Sequence, residues 1–478
     1  MPDARLSALD ASFLAVEKPT AHMHVGWASL FDPPPGGERP SFAEVRDHIG
    51  RRLDRAPRYR QKLAKVPFGI HEAAWVDDAL FSLERHVLHA RAERLEDVIE
   101  MVLSVPLERD RPLWELWIAD NLADGRLGMV AKVHHCMVDG IAAVELGTLL
   151  LDVEPSANGT DGGAGAWRPA PAPGALELMV RGVRDRVAEQ AGLIRAPLGL
   201  VRSPSRLLDL PAAGLRLARS LADATLPLAP PSALNAASSP LRALHSLQRP
   251  LADLKAIRRR TETTVNDVVL AASAGGLRDY LLSRGDEPVD LKVMVPVNVR
   301  EAGAAGDLGN RISFMFLALP CSEPDPLRRL ELVHERTRAH KESGASAEAD
   351  RALKALAFAP PQVQHAVSQL VSGPRAFNLV VSNIPGPQIP LWLRGCLLQE
   401  AYPVVPLAAE HALSIGITTV RDAACFGFYA DRKALPDADR LPPRVDAAVD
   451  ELLMATGGPS LRPVPPQGAT RPREPALN

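Results

Sequence analysis

Two adjacent histidines, followed four residues later by an acid and a glycine, are the residues of this chain with the clearest potential for chemistry. They are His134-His135 and Asp139-Gly140. Histidine is the side chain best matched to proton transfer near neutral pH, whereas a carboxylate can cap a helix or pair with an arginine. Paired histidines also occur in ordinary loops, where they have no chemical role. A shared metal ion is disfavoured, because neighbouring side chains on a strand point to opposite faces. The segment therefore favours general acid–base chemistry and no metal.

The flanking sequence predicts the elements that position this motif. Residues 127–133 form a mostly apolar run of strand length that ends at the histidines, and residues 141–150 carry apolar side chains at near-helical spacing. The motif is then a strand-to-helix connection, which presents its side chains to a cleft. Asp139 would lie near the helix start, and Gly140 would allow close packing after it.

Regular elements are predicted on both sides of the motif. Strand-like runs alternate with helical ones in the first part of the chain, which indicates mixed sheets with flanking helices. Residues 155–174 are rich in Pro, Gly, Ala and Asp and predict a linker, and residues 175–224 read as short Arg-rich helices. These helices are interpreted either as a solvated face or as a surface that binds anionic lipid.

Beyond the histidine motif, the sequence resembles the bacterial bifunctional wax ester synthase/acyl-CoA:diacylglycerol acyltransferases, which carry the pattern HHxxxDG. The resemblance runs in order from about residue 6 to about residue 455. The blocks that carry it are Leu6–Leu14 with Met23–Gly26, Arg111–Trp114, Asn266–Ala271, Val295–Arg300, Gly309–Arg311 and Val381–Pro387.

This resemblance implies an α/β (α+β) fold of two halves, the CoA-dependent acyltransferase fold of chloramphenicol acetyltransferase and condensation domains. Each half would be a mixed sheet flanked by helices, with the active-site tunnel between them. We expect an N-terminal half carrying HHxxxDG at 1–152, a linker with crossover helices at 153–240, and a C-terminal half at 241–457. A Pro-rich tail at 458–478 is expected to be disordered.

Acyl transfer to an alcohol needs a base for the hydroxyl proton, and we assign that role to His135. His134, Asp139 and Gly140 would shape its loop, with Arg58 or Arg60 as the partner of Asp139. Three further groups have candidate roles with ordinary structural alternatives. They are Asn266, Ser382 and Asn383 as donors to the oxyanion or substrate, Trp114 and Trp117 as lining of the acyl tunnel, and Cys136 as a nucleophile or, more simply, an apolar filler.

Composition bounds the remaining possibilities. A length of 478 residues suggests more than one hydrophobic core, and a formal net charge of −2 gives no electrostatic case for nucleic acid. The four cysteines are scattered, and we recognise neither a secretory leader nor a transmembrane span. We therefore expect a cytoplasmic protein without a cofactor, peripheral at most to the inner membrane or to lipid droplets.

The expected substrates are acyl-CoA and either diacylglycerol or a long-chain alcohol, with diacylglycerol favoured because the composition looks like that of actinobacterial members. Two alternatives stay open from the residues alone. One is a condensation-type acyltransferase acting on carrier-bound polyketide or peptide substrates. The other is a lipid-binding protein of the same fold without turnover, against which the intact histidine motif argues.

Overall fold

Two six-stranded sheets with flanking helices make up the protein in the computed structural model. The structure describes residues 5–137, 150–155, 167–187, 227–298, 312–343, 361–387 and 389–457. The two-half α/β fold expected from the sequence is confirmed by this arrangement. Asp139, Gly140 and the segments 188–226 and 458–478 lie outside the described residues.

The strand predicted before the histidines forms where the sequence indicates. The apolar run 127–133 lies in the strand Leu127–His134, which includes the first histidine. The strands are β1 His24–Asp32, β2 Gln61–Ala64, β3 Ala74–Asp77, β4 Val87–His89, β5 Trp114–Ala119, β6 Leu127–His134, β7 Arg242–Pro250, β8 Leu291–Asn298, β9 Ile312–Leu319, β10 Leu379–Ile384, β11 Trp392–Leu393, β12 Cys396–Val404, β13 Leu413–Val420 and β14 Ala423–Asp431.

The helices lie on these sheets, and several begin with side-chain caps. Ser41 and Glu44 form a capping box before α2, and Thr264 and Asp267 form another before α6. The helices are α1 Ala8–Val16, α2 Phe42–Arg52, α3 Leu95–Leu103, α4 175–187, α5 Leu251–Thr261, α6 Val265–Ser283, α7 Pro326–Glu342, α8 Pro361–Val371 and α9 Leu441–Ala455.

The first sheet has the strand order β11-β12-β1-β6-β5-β4. Its centre is the antiparallel pair β1 and β6, in which His24 lies opposite His134. The strands β11 and β12 come from the second half of the chain, and β12 pairs with β1 from Gly26↔Val404 to Asp32↔Leu397. The second half therefore completes the sheet that carries the histidine motif.

The second sheet has the order β7-β14-β13-β10-β8-β9 and is mixed. Strand β10 runs parallel to both β13 and β8, whereas the pairs β13/β14, β14/β7 and β8/β9 are antiparallel. Helix α6 packs deep against it and against α9. A Cβ on Gly276 would lie 2.4 Å from Val445 Cγ2, so the close approach of α6 to α9 requires glycine there. The second sheet, with α6 and α9 packed on it, carries the residues that face the first half.

Candidate active site

The two histidines lie where β6 ends and the chain turns. The His134 N–H donates to the Leu113 carbonyl at 2.9 Å, and the His135 N–H donates to the Met23 carbonyl at 2.8 Å. The Met137 N–H then donates back to the His134 carbonyl at 2.9 Å, which closes the turn. The backbone of this turn is thus fixed between the start of β5 and the residue before β1.

The two imidazole rings lie in different surroundings, as alternation of side chains along a strand predicts. The His135 ring is partly exposed and stacks on Phe13 of α1, with 3.8 Å between ring centroids and 12° between planes. His134 is buried at 1% exposure. Phe13 belongs to the opening sequence block, but nothing in its local pattern indicated a contact with a residue more than 120 positions away.

The His134 ring is held in one neutral form. Its Nδ1 accepts the Cys136 N–H at 3.1 Å, so its proton resides on Nε2. Nε2 lies 3.6 Å from Glu17 Oε1, and Glu17 is ion-paired with Arg109. Burial, assisted by the charge of Arg109, lowers the pKa of His134 to about 3. His134 is therefore poorly suited to exchange protons near neutral pH.

His134 belongs to a buried group of histidines that the sequence analysis did not single out. The rings of His22 and His24 lie 5.1 Å apart, and those of His24 and His134 lie 6.5 Å apart. Burial is the main cause that lowers the pKa of both His22 and His24. The signal was present in the spacing of the two residues before and within β1, because alternate residues share one face of a strand.

Acid should destabilise the protein through this group. A histidine with a lower pKa folded than unfolded leaves the unfolded chain binding more protons, so stability falls as pH drops below about 6.5 and continues to fall towards the folded pKa. For His134 this predicts a loss of about 2 kcal/mol of unfolding free energy at pH 5. Urea unfolding at pH 7.5 and pH 5 would measure it. His134→Asn, which keeps an acceptor for the Cys136 N–H, should show a smaller pH-dependent loss, and an equal loss would contradict the prediction.

Cys136 is a buried thiol in an apolar setting. It packs with Leu6, Trp75, Leu107 and Leu113, and burial raises the pKa of its thiol. Because the thiolate is the reactive form, this environment disfavours a nucleophile. The contacts are those of an apolar filler.

The two arginines considered as partners of Asp139 differ in their contacts. Arg60 pairs with Asp54 and lies over the Trp167 ring at 5.2 Å. Arg58 lies over the Trp75 ring at 4.5 Å, and burial lowers the pKa of its guanidinium while nearby Asp10 and Cys136 oppose that shift. Arg58 is therefore beside the turn that carries the histidines, whereas Arg60 is engaged elsewhere.

Two of the polar candidates of the second half lie together. The Asn383 Nδ2 is 3.5 Å from Asn266 Oδ1, which joins the end of β10 to the first turn of α6. Ser382 is buried, whereas Asn383 is exposed. Asp267, next to Asn266, caps α6 and also accepts hydrogen bonds from His334 and Thr337. The structure thus brings Asn383 to Asn266, whereas the buried Ser382 side chain lies on the other face of β10.

An apolar cavity lies against the same face of β6 that leads to His135. Its volume is about 90 Å³. Alternate residues of β6 line it, and His135 continues that series. The lining comprises Val25, Gly26, Trp27, Ser29, Ile49, Leu116, Met129, Ala131, Val133, Leu150, Leu151, Pro387, Leu391, Leu393, Leu398, Ala401 and Thr418.

Both halves of the chain contribute to this cavity, and the second half supplies a polar group. The Thr418 hydroxyl is buried, lines the cavity and has no hydrogen-bond partner among the described residues. A buried hydroxyl without a partner is costly in an apolar setting. Thr418 is thus placed to bind a polar atom of a ligand that otherwise contacts apolar walls.

Trp114 and Trp117 do not line this cavity. Trp114 packs in the core against Tyr59 and His86, and its indole N–H donates to the Tyr59 carbonyl at 2.7 Å. Trp117 lies on the other face of β5, where its N–H donates to Glu115 at 3.0 Å. The residues that surround the cavity are determined by strand pairing, which the spacing of residues in the sequence does not specify.

Metal ligands and membrane-spanning helices bear on the class of site. Within the described ranges, no group of three or more His, Cys, Asp or Glu side chains is placed to hold a metal ion. Among the same residues, no helix combines the length and apolar character that crossing a membrane requires.

The architecture is that of a two-half acyltransferase. Each half is a sheet with flanking helices, and a histidine at a strand end lies beside an apolar cavity. The chain matches the wax ester synthase/diacylglycerol acyltransferase catalytic domain over residues 6–269 and the C-terminal domain of the same family over residues 308–453. The chain belongs to the wax ester synthase/diacylglycerol acyltransferase family, which confirms the resemblance.

Individual relatives agree with this assignment. A Mycobacterium tuberculosis protein named "Probable diacyglycerol O-acyltransferase tgs1" is 32% identical over 470 residues, covering 94% of this chain and 95% of that protein. The wax ester synthase/diacylglycerol acyltransferase from Marinobacter aquaeolei VT8 is 25% identical with a TM-score of 0.67, covering 95% of this chain and all of that one. The first condensation domain of the calcium-dependent antibiotic synthetase, at 18% identity and a TM-score of 0.58 over 94% of this chain and 96% of that one, shares the fold.

Proposed function

We propose that this protein transfers a long-chain acyl group from acyl-CoA to the hydroxyl of diacylglycerol, or of a long-chain alcohol, with His135 as general base. The family assignment makes it an acyl-CoA-dependent acyltransferase acting on diacylglycerol or an alcohol. The observation that carries the role of His135 is its place at the end of the β6 face that lines the apolar cavity. That cavity would hold the acyl chain.

The reaction requires one proton to move twice. His135 accepts the proton of the acceptor hydroxyl as the oxygen attacks the thioester carbon. The tetrahedral intermediate then collapses with cleavage of the C–S bond, and the imidazolium returns the proton to the departing CoA thiolate. No covalent link to the protein is needed, because a thioester already has a good leaving group.

Other residues take supporting roles in this proposal. Phe13 fixes the plane of the His135 ring by stacking, and His134 holds the turn through the Cys136 N–H. Asn266, Ser382 and Asn383 are the proposed donors to the oxyanion or to the substrate, and one such donor is typically worth about 10²–10³-fold in kcat. Asp139 and Gly140 support the loop, with Arg58, beside the turn, as the favoured partner of Asp139 over Arg60.

The acceptor and the location belong to the same proposal. Diacylglycerol is the preferred acceptor because the relatives that align over nearly the whole chain are named as diacylglycerol acyltransferases. We place the enzyme in the cytoplasm at a lipid surface, either the inner membrane or lipid droplets, because its acceptors reside there.

Release of CoA from palmitoyl-CoA tests the function directly. Purified protein should release thiol only when dipalmitoylglycerol or hexadecanol is added, and the lipid product should be triacylglycerol or wax ester. A higher kcat/KM with dipalmitoylglycerol is expected. Absence of release with both acceptors would overturn the proposal, and release only from carrier-bound acyl groups would replace it with a condensation-type reaction.

A further inference from the structure

Helix α4 packs on the protein through one narrow face. A Cβ on Gly182 would lie 3.1 Å from Val66 Cγ1 and 3.4 Å from His71 Cβ, so the helix touches the loop between β2 and β3 there. Leu178 on the same side is 6% exposed. An ion pair between Arg5 Nε and Asp185 Oδ2 at 2.7 Å fixes the helix further.

The opposite face of α4 is apolar and exposed. Leu176, Val180, Val183 and Val187 have exposed fractions of 69%, 58%, 45% and 57%. Their spacing of four, three and four residues places them in one stripe along the helix. A surface helix normally turns such a stripe towards the core and its polar face towards water. In α4 the stripe faces outwards.

The loop that α4 touches carries an exposed aromatic side chain of its own. Phe68 is 92% exposed and has a φ of 59°, in the left-handed region that bulky residues rarely adopt. Its neighbours Val66 and His71 are the residues that contact α4. The four residues of the α4 stripe, together with Phe68, are called the apolar patch.

Basic side chains flank the apolar patch. Arg184 and Arg186 follow in the helix on either side of the stripe, and the Arg184 side chain is 75% exposed. Lys65 is exposed in the loop beside Phe68. An apolar stripe with an aromatic residue and flanking arginines is the arrangement that binds at the boundary between headgroups and acyl chains.

We propose that the apolar patch docks on an anionic phospholipid surface, with Phe68 and the α4 stripe inserted among the acyl chains and the basic residues at the headgroups. Its value to the enzyme rests on the proposed function, because a lipid surface is where diacylglycerol and long-chain alcohols reside. The docking itself does not depend on catalysis. Exposed apolar area of this kind marks an interaction site, and the flanking positive charge favours an anionic lipid as the occupant.

Vesicle flotation tests the docking. The full chain should float with vesicles of phosphatidylcholine containing phosphatidylglycerol, and the triple variant Phe68→Ser, Val180→Ser, Val183→Ser should bind about tenfold more weakly or worse, because each side chain loses apolar burial. Valine and serine have similar helix propensities, so the thermal midpoint should be unchanged. Phe68→Ser alone, at a site with almost no contacts, should reduce binding without any effect on folding.

A matched control uses exposed apolar residues on other surfaces. Leu282 and Met454 are 48% and 58% exposed at the ends of α6 and α9. The double variant Leu282→Ser, Met454→Ser should bind vesicles like the wild type. Arg184→Gln with Arg186→Gln should weaken binding to anionic vesicles but not to vesicles of phosphatidylcholine alone.

Two outcomes would overturn the proposal. One is unchanged flotation of the triple variant. The other is a wild-type dimer that becomes a monomer in the triple variant on sedimentation, since a second copy would then cover the patch. Turnover of a short-chain acyl-CoA with a water-soluble alcohol needs no lipid surface. Its rate should therefore be equal in the wild type and the triple variant, whether or not either protein binds vesicles. This measurement separates a failure of docking from a failure of the proposed function.

Discussion

Replacement of His135 by alanine is expected to lower kcat for acyl transfer by about 10²–10⁴-fold, the usual contribution of general acid–base help. The ring is partly exposed at the end of the cavity-lining face of β6 and lies flat on Phe13. Its loss removes both the acceptor of the hydroxyl proton and the donor to the CoA thiolate. The measurement is kcat with palmitoyl-CoA and saturating dipalmitoylglycerol.

The neighbouring histidine provides the matched control. His134 is buried, its Nδ1 accepts the Cys136 N–H, and burial lowers its pKa to about 3. His134→Asn should therefore retain most of kcat. The kcat of Phe13→Leu should lie between those of His135→Ala and His134→Asn, because the base remains but the plane of its ring is no longer fixed. Wild-type kcat in His135→Ala, or an equal collapse in a folded His134→Asn, would contradict these roles.

Filling the cavity at Ala131 should change which acyl chains are accepted. Ala131→Phe places a ring four residues before His135 along β6, so the far end of a long chain is blocked while the thioester still reaches the base. Each methylene denied burial costs about 0.8 kcal/mol, or about fourfold in kcat/KM. The ratio of kcat/KM for palmitoyl-CoA to that for octanoyl-CoA should fall by about 250-fold, the equivalent of about four methylenes.

The depth of the block offers a control within the same cavity. Met129 lies about 20 Å along the strand from His135 at the usual rise per residue. Met129→Trp should therefore affect only the longest chains, with a smaller change in the ratio than Ala131→Phe. Unaltered octanoyl transfer in both variants would show that folding is intact. An unchanged ratio in Ala131→Phe would mean that the acyl chain binds elsewhere.

Local pattern predicted the elements and the position of the motif. The apolar run before the histidines became β6, and the alternation of side chains placed His134 and His135 in different surroundings. Thr264 and Asp267 began α6 as their types and spacing indicate. These features depend on neighbours in sequence, so the sequence alone was sufficient for them.

Contacts between distant segments were not predictable in the same way. The stacking of Phe13 on His135 depends on where α1 packs, and the approach of His24 to His134 and the cavity lining depend on strand pairing. Trp114 illustrates the limit, because an aromatic residue near a motif is equally suited to a tunnel or to a core. In the structure its indole N–H donates a hydrogen bond to the Tyr59 carbonyl in the core.

The interleaving of the two halves has a consequence for how the chain can be divided. The family's catalytic domain ends at residue 269, within α6, and therefore includes β7, which is a strand of the second sheet. The segment assigned to the C-terminal domain contains β11 and β12, which complete the first sheet. A polypeptide cut between the two domains would leave each sheet lacking strands. Each half therefore depends on strands of the other to complete its sheet, and the pairing of β12 with β1 ties the two halves together.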